Sequence, residues 1–182
     1  MSPYPSEWER HAMLPNGRAV FIRPVRPEDE GLYGDFIPHI TPEDVRLRFF
    51  ASVKEFSRAF IARMTRVDYD RAIAFVALDE TSGKMLGVVR LHAGDDRQTG
   101  EYAILVRSDL KGYGLGWLLM QTLIDYARAT GFRSIDGQVL RGNTTMLQMC
   151  RELGFTVQGE PRDPEVVSVQ LDLAQQTEKA GD

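Results

Sequence analysis

Residues 111–117 read KGYGLGW, three glycines alternating with bulky residues. A strand-like run, GEYAILVRSD (100–109), precedes them, and LLMQTLIDYARA, apolar at helical spacing, follows. Glycine costs a regular element roughly 0.5–1 kcal/mol per residue relative to alanine. So dense a cluster marks a place where the chain trades regularity for access to its own backbone. A strand, a glycine loop and a helix N-terminus together make an anion site. The first N–H groups of a helix have no partner within it. The macrodipole adds roughly half a positive charge there, and the missing Cβ atoms let phosphate oxygens approach. The donors are expected from Gly112 to Trp117.

Known phosphate patterns narrow the ligand. The Walker pattern G-x-x-x-x-G-K-[ST] is absent. The dinucleotide pattern G-x-G-x-x-G matches at Gly112 and Gly114 but meets Trp117 at its third glycine. Asp136 stands roughly 20 residues beyond the loop, where that pattern places its ribose-binding acid. It falls early in its strand, however, and the β–α unit comes late in the chain, after antiparallel strands. A tight turn with helix-packing glycines is the plain alternative.

The rest of the chain reads as alternating elements. Residues 1–17 hold three prolines and end in PNG, an expected irregular arm. RAVFIRPV (18–25) is strand-like, and PEDEGLYGDFIPHI (27–40) is a helix weakened by two glycines. Thr41 caps a helix over PEDVRLRFF, with Pro42 at its first position. Ser52 and Glu55 form a capping box that introduces Phe56, Ala59, Phe60 and Met64. RAIAFVALD (71–79) and KMLGVVRLHAG (84–94) flank the turn ETSG as a hairpin. After the glycine loop, Leu115, Leu118, Leu119, Leu123 and Tyr126 mark one helix face. SIDGQVL (134–140) is a strand, Asn143 caps the helix TTMLQMCREL, and VVSVQLDL (166–173) is the last strand. The expectation is an α/β fold, a mixed sheet of six or seven strands, partly antiparallel, with about four helices on its two faces. It forms one domain over 18–173, followed by a loose tail over 174–182.

Bulk properties exclude several classes. Lys and Arg total 22 against 26 Asp and Glu, a net charge of −4, which draws the whole molecule to neither nucleic acid nor anionic lipid. One cysteine forms no intramolecular disulfide, and one cysteine with three scattered histidines has no metal-ligand spacing. No apolar run reaches the ~20 residues of a membrane span, and the N-terminus lacks a signal-peptide pattern. A cytoplasmic protein is the expectation.

More than the loop matches one family. LVRSDLKGYGLGWLLMQTLIDYA, followed by NTTMLQMCRELGF, resembles the GNAT superfamily of acyl-CoA-dependent N-acetyltransferases. That family's loop, [QR]-x-x-G-x-[GA], is matched by Lys111 to Gly116, with Lys at the first position. FIRPVRPEDE, RLRFF, VDYDRAIAFVA, GEYAILVRSD and NTTMLQMCRELGF are similar to the GNAT domain of Pat-type bacterial protein lysine acetyltransferases. The resemblance runs from about residue 17 to 173.

The resemblance implies acetyl-CoA as co-substrate. The strand before the loop splays from its neighbour, and backbone groups of Leu105, Val106 and Arg107 pair with the pantetheine arm. Lys111, Gly112, Tyr113, Gly114, Leu115, Gly116 and Trp117 take the pyrophosphate, and Val106 N–H polarises the thioester. Asn143 matches an asparagine near the pantetheine end; read alone it is a helix cap. Lysine, with a pKa of about 10.4, is protonated at pH 7, an obstacle of roughly 4.6 kcal/mol that a positioned base removes. Glu101 matches the glutamate of the Pat-type AE(F/Y)A strand and is the candidate base; read alone it is solvated charge at a strand entrance.

The departures are as specific. Many family members carry a tyrosine acid after the downstream asparagine, where this chain has Cys150, a weak donor or simply a small buried hydrophobe. Ala72 replaces a Pat-type glutamate. Arg46 and Arg48 read as guides for an acidic partner or as stems packed along a Phe49–Phe50 core. Tyr69, with Asp68 and Asp70, reads as an acceptor-site rim or a polar turn. The implied activity is acetyl transfer to a protein lysine, with an acetyl-CoA synthetase-like enzyme as one candidate acceptor, or to a small amine. A non-catalytic acyl-CoA-sensing module is the reading from a different class.

Overall fold

The computed structural model describes residues 2–50 and 56–174. Eight strands alternate with short helices: β1 (Arg10–Met13), β2 (Ala19–Pro24), β3 (Ala72–Asp79), β4 (Met85–Ala93), β5 (Thr99–Val106), β6 (Ser134–Leu140), β7 (Thr156–Gly159) and β8 (Val166–Asp172). The helices are α1 (Tyr33–Phe36), α2 (Pro42–Phe49), α3 (Arg58–Thr65), α4 (Leu115–Ala129) and α5 (Thr144–Glu152). The strands are hydrogen-bonded in the order β1-β2-β3-β4-β5-β6-β8-β7. The β5–β6 pair is parallel, while β1–β2, β2–β3, β6–β8 and β7–β8 are antiparallel.

The sheet has eight strands where six or seven were expected, and two of them, β1 and β7, lie outside the six runs read as strands. β1 lies inside the stretch read as an irregular arm, and pairs Arg10↔Ile22 through Met13↔Ala19 with β2. Prolines surround it but none falls within it, so its ladder is intact. β7 is four residues, TVQG, too short and polar to show a period. It exists because β8 offers it a partner over Thr156↔Gln170 to Gly159↔Val167. The strand expected over 100–109 stops at Val106, and a 3-10 turn covers Ser108–Leu110. The weak helix over 27–40 breaks into a 3-10 turn (Pro27–Leu32), α1 and a second 3-10 turn (Ile37–His39).

Contacts divide the chain into two compact units, Met1–Leu91 with Ala103–Leu123 and His92–Tyr102 with Ile124–Asp182. The first is centred on Val25, Tyr33, Phe36, Val45, Ala74, Val76 and Met85. Its entry is pinned by Arg23, which donates to both Asp29 carboxylate oxygens at 2.8 and 2.6 Å; the two residues are 7% and 2% exposed. Asp29 also accepts the Arg26 N–H at 2.7 Å, so a buried carboxylate is matched by three donors. The FIRPVRPEDE stretch is thus a structural clasp.

Within the same unit Thr41 caps α2, accepting from Asp44 N–H at 3.2 Å. Phe49 packs on Phe56 and Phe60, with ring centroids 5.7 Å apart in both pairs. Phe50 does not join them: it ends α2 in the left-handed conformation (φ 59°) and is exposed. Arg46 pairs with Glu43 at the surface, and Arg48 lies 4.4 Å from the Phe49 ring. The capping box at Ser52 and Glu55 lies outside the described residues; α3 takes Ser57 as its cap, accepting from Phe60 N–H at 3.1 Å.

In the second unit, Tyr102 lies flat on Gly137 of β6. A Cβ at Gly137 would fall 2.2 Å from the Tyr102 ring, so only glycine permits this approach. The Tyr102 hydroxyl meets the Cys150 thiol at 3.3 Å, and its ring packs edge-on against Phe155.

Candidate active site

The glycine loop stands between the 3-10 turn after β5 and the first turn of α4. Gly112 and Gly114 adopt φ of +86° and +89°, where a side chain costs roughly 1–2 kcal/mol. A Cβ at Gly114 would also approach Pro15 Cδ to 3.2 Å. These two reversals present the backbone outward. The first helical bond here runs from Leu118 N–H to the Gly114 carbonyl at 3.1 Å. The six amides from Gly112 to Trp117 make no hydrogen bond among the described residues. Gly112, Tyr113 and Trp117 are exposed, and Gly114 and Gly116 are half-buried. Along α4, Leu115, Leu119, Met120 and Leu123 are fully buried and anchor the loop's far side.

Lys111, first in the loop, pairs its ammonium with the buried carboxylate of Asp44 on α2. Ser108 bonds the same carboxylate and accepts the Thr41 N–H at 2.8 Å. The loop's entry is therefore strapped to the start of α2. Arg107 is also occupied. Its N–H donates to the Leu86 carbonyl at 2.9 Å, its carbonyl accepts the Leu110 N–H at 3.0 Å, and its guanidinium pairs with Asp109. Both backbone groups are used within the fold.

The β5–β6 ladder is short. It pairs Thr99↔Ser134, Gly100↔Ile135 and Glu101↔Asp136, then stops, although β5 runs on to Val106 and β6 to Leu140. Glu101 occupies the last pair. Its side chain and that of Asp136 line an open cleft of about 380 Å³, shared with Gln138, Thr156, Gln158, Ser168 and Gln170. Asp136 Oδ1 is shut off from solvent without a hydrogen-bond partner. The partnership of Asp136 with Glu101 depends on a parallel register that no local pattern encodes.

Asn143 does cap α5, its side-chain carbonyl accepting from Met146 N–H at 3.2 Å. The cap uses the oxygen and leaves the amino group of the same side chain uncommitted. Cys150 is fully buried. Burial raises its pKa, the hydrogen bond with Tyr102 working against that rise, and burial holds the Tyr102 phenol far above its ordinary range. Each is neutral and partnered by the other, which is the small-hydrophobe reading of Cys150. Tyr69 serves the fold, its hydroxyl donating to the Val25 carbonyl and its ring set edge-on to Tyr4.

The family model for "Acetyltransferase (GNAT) family" matches residues 41–155. The chain is 36% identical over 162 residues to "Acetyltransferase PA5475" of Pseudomonas aeruginosa, covering 88% of this chain and 87% of that one. It is 39% identical over 64 residues to a P. aeruginosa L-methionine sulfoximine/L-methionine sulfone acetyltransferase, which covers 35% of this chain and 37% of the other. The crystal structure of the GNAT domain of S. lividans PAT superposes with a TM-score of 0.86 at 25% identity, over 93% of this chain and 99% of that one.

Proposed function

The chain belongs to the GNAT acetyltransferase family, and on that premise we propose that it moves acetyl from acetyl-CoA to the ε-amine of a lysine on a protein. Residues 18–173 act as one catalytic domain. The observation that carries the coenzyme's place is the run of six unpartnered amides from Gly112 to Trp117 at the start of α4. They match the donors a pyrophosphate needs. Leu105 and Val106 receive the pantetheine arm beyond the point where the β5–β6 ladder stops, and Asn143 lends its amino group near the thiol end.

Glu101 acts as base. The acceptor's ammonium gives it a proton, directly or through one water, and the freed lone pair attacks the thioester carbonyl. The Val106 N–H stabilises the oxyanion. A C–N bond forms, the C–S bond breaks, the nitrogen loses its second proton to solvent, and the thiolate leaves with the electron pair and takes up a proton. Cys150, buried and bonded to Tyr102, takes no part. The likeness to the PAT GNAT domain, across nearly all of both chains, favours a protein acceptor. The Pat-type resemblance makes an acetyl-CoA synthetase-like enzyme the first acceptor to try. The partial match to a methionine sulfoximine acetyltransferase favours a small amine as the second reading.

Glu101→Gln is expected to keep acetyl-CoA binding, read as an unchanged thermal shift, and to lose about 100-fold or more of turnover at pH 7. Full rate in this variant removes Glu101 as base. Tight acetyl-CoA binding with no thiol release across protein and amine acceptors would make the chain a sensing module.

A further inference from the structure

Lys111 is the one basic residue of the 111–117 loop. The preceding cation in the chain, Arg107, is taken up by Asp109, which accepts from its Nε at 3.0 Å and from a terminal nitrogen at 2.7 Å. The Lys111 ammonium meets one partner among the described residues, Asp44 Oδ1 on α2. An ammonium carries three N–H donors, and the Lys111 side chain is 48% exposed. Its remaining donors are therefore open at the residue next to Gly112, where the unpartnered amides begin.

A lysine on its flexible four-carbon stem rarely holds one position, and an exposed ion pair does little to order it. This pair differs in its acidic half, because Asp44 is 8% exposed. In a capping box the acid at the third helical position reaches back to the N-cap N–H. Asp44 holds that position in α2, but the Ser108 hydroxyl stands between. Ser108 donates to Asp44 Oδ2, and its oxygen accepts the Thr41 N–H at 2.8 Å. The Asp44 N–H donates to Thr41 Oγ1 at 3.2 Å. A carboxylate held at both oxygens and at its own backbone gives the ammonium one place to sit.

We propose that Asp44 is a positioning residue for the coenzyme, holding the Lys111 ammonium at the loop so that its open N–H groups meet the pyrophosphate. The proposal rests on the coenzyme reading above. It adds a charge to the neutral amides and names the residue that fixes that charge. Lys111 does not need to leave Asp44 to pair with phosphate. Leaving would strand a nine-tenths buried carboxylate on the Ser108 hydroxyl alone, which is strongly unfavourable. Staying places a cation between two anions, the carboxylate on one side and the phosphate on the other. The rotamer freedom of the lysine is then lost when the chain folds and not when the coenzyme arrives, which raises affinity. The uncharged pantetheine and acetyl portions gain nothing from it.

The test compares two probes: acetyl-CoA, followed by calorimetry, and S-acetyl-pantetheine, which ends before the pyrophosphate, followed by NMR titration. Lys111→Met is expected to weaken acetyl-CoA binding roughly tenfold, and Asp44→Asn severalfold. The double variant should bind no more weakly than Lys111→Met alone, because Asp44 acts only through the ammonium. Ser108→Ala keeps both charges and loosens the carboxylate. It should give a smaller loss, and it guards against a folding defect in Asp44→Asn. S-acetyl-pantetheine should bind every variant as it binds the wild type. Additive losses in the double variant, or equal losses for the two probes, would make Asp44 a residue of the fold alone and overturn the proposal. Unchanged binding in Asp44→Asn overturns it as well. So does tighter binding, which would make Asp44 a competitor of the phosphates for Lys111. Folded wild-type protein that binds no acetyl-CoA overturns the coenzyme reading and this proposal together. Wild-type binding that is indifferent to both Lys111 and Asp44 overturns this proposal and leaves the coenzyme reading standing.

Discussion

Tyr69, readable from sequence as an acceptor-site rim or as part of a polar turn, is bonded into the fold. Its hydroxyl donates to the Val25 carbonyl, and burial, followed by the field of Tyr4 and Asp29, pushes its pKa up to about 12. The unfolded chain ionises it near the ordinary value of 10.0. Below pH 10 the phenol is protonated in both states and its contribution is complete. Between pH 10 and 12 the unfolded state loses the proton first, so stability falls as pH rises. Urea midpoints measured from pH 9 to 11.5 should decline, and Tyr69→Phe should remove part of that slope. An unchanged slope in the variant would show that Tyr69 ionises freely in the fold. Asp68 and Asp70 flank it in the polar turn that the sequence offered as the alternative to an acceptor rim.

The loop and α4 form the element on which the coenzyme reading turns. Its legibility in sequence came from glycine chemistry, since a left-handed backbone at 112 and 114 is a local demand that local residues must meet. Gly114→Ala is expected to cost about 1–2 kcal/mol of stability for its φ of +89°. Crowding of Pro15 should also displace the loop and weaken acetyl-CoA binding roughly tenfold by calorimetry. Stability lost with affinity intact would place the pyrophosphate elsewhere. Other parts of this element were not legible. The Lys111 ammonium pairs with Asp44, 67 residues away in the chain. The N–H and carbonyl of Arg107 are bonded to β4 and to the following turn. Such commitments are made across the fold, where no window of sequence records them.

For the whole molecule, the net charge of −4 and the two carboxylates of the cleft beside Glu101 favour the approach of a cationic acceptor such as the proposed lysine. Raising ionic strength from about 0.1 to 1 M shortens the screening length from about 10 to 3 Å. KM for a lysine peptide should therefore rise severalfold, measured at saturating acetyl-CoA. A salt-independent KM would mean that charge does not guide the acceptor.

The chain's own periodicity and punctuation determined six of the strands, the capped helices at Thr41 and Asn143, and the glycine loop, because side-chain alternation, helix caps and left-handed turns are each set within a few residues. Only the tertiary structure decided β1 and β7, which borrow their order from neighbouring strands. It alone set Glu101 beside Asp136, because strand register arises from pairing between segments distant in the chain, and a shift of one residue would have turned either carboxylate to the opposite face.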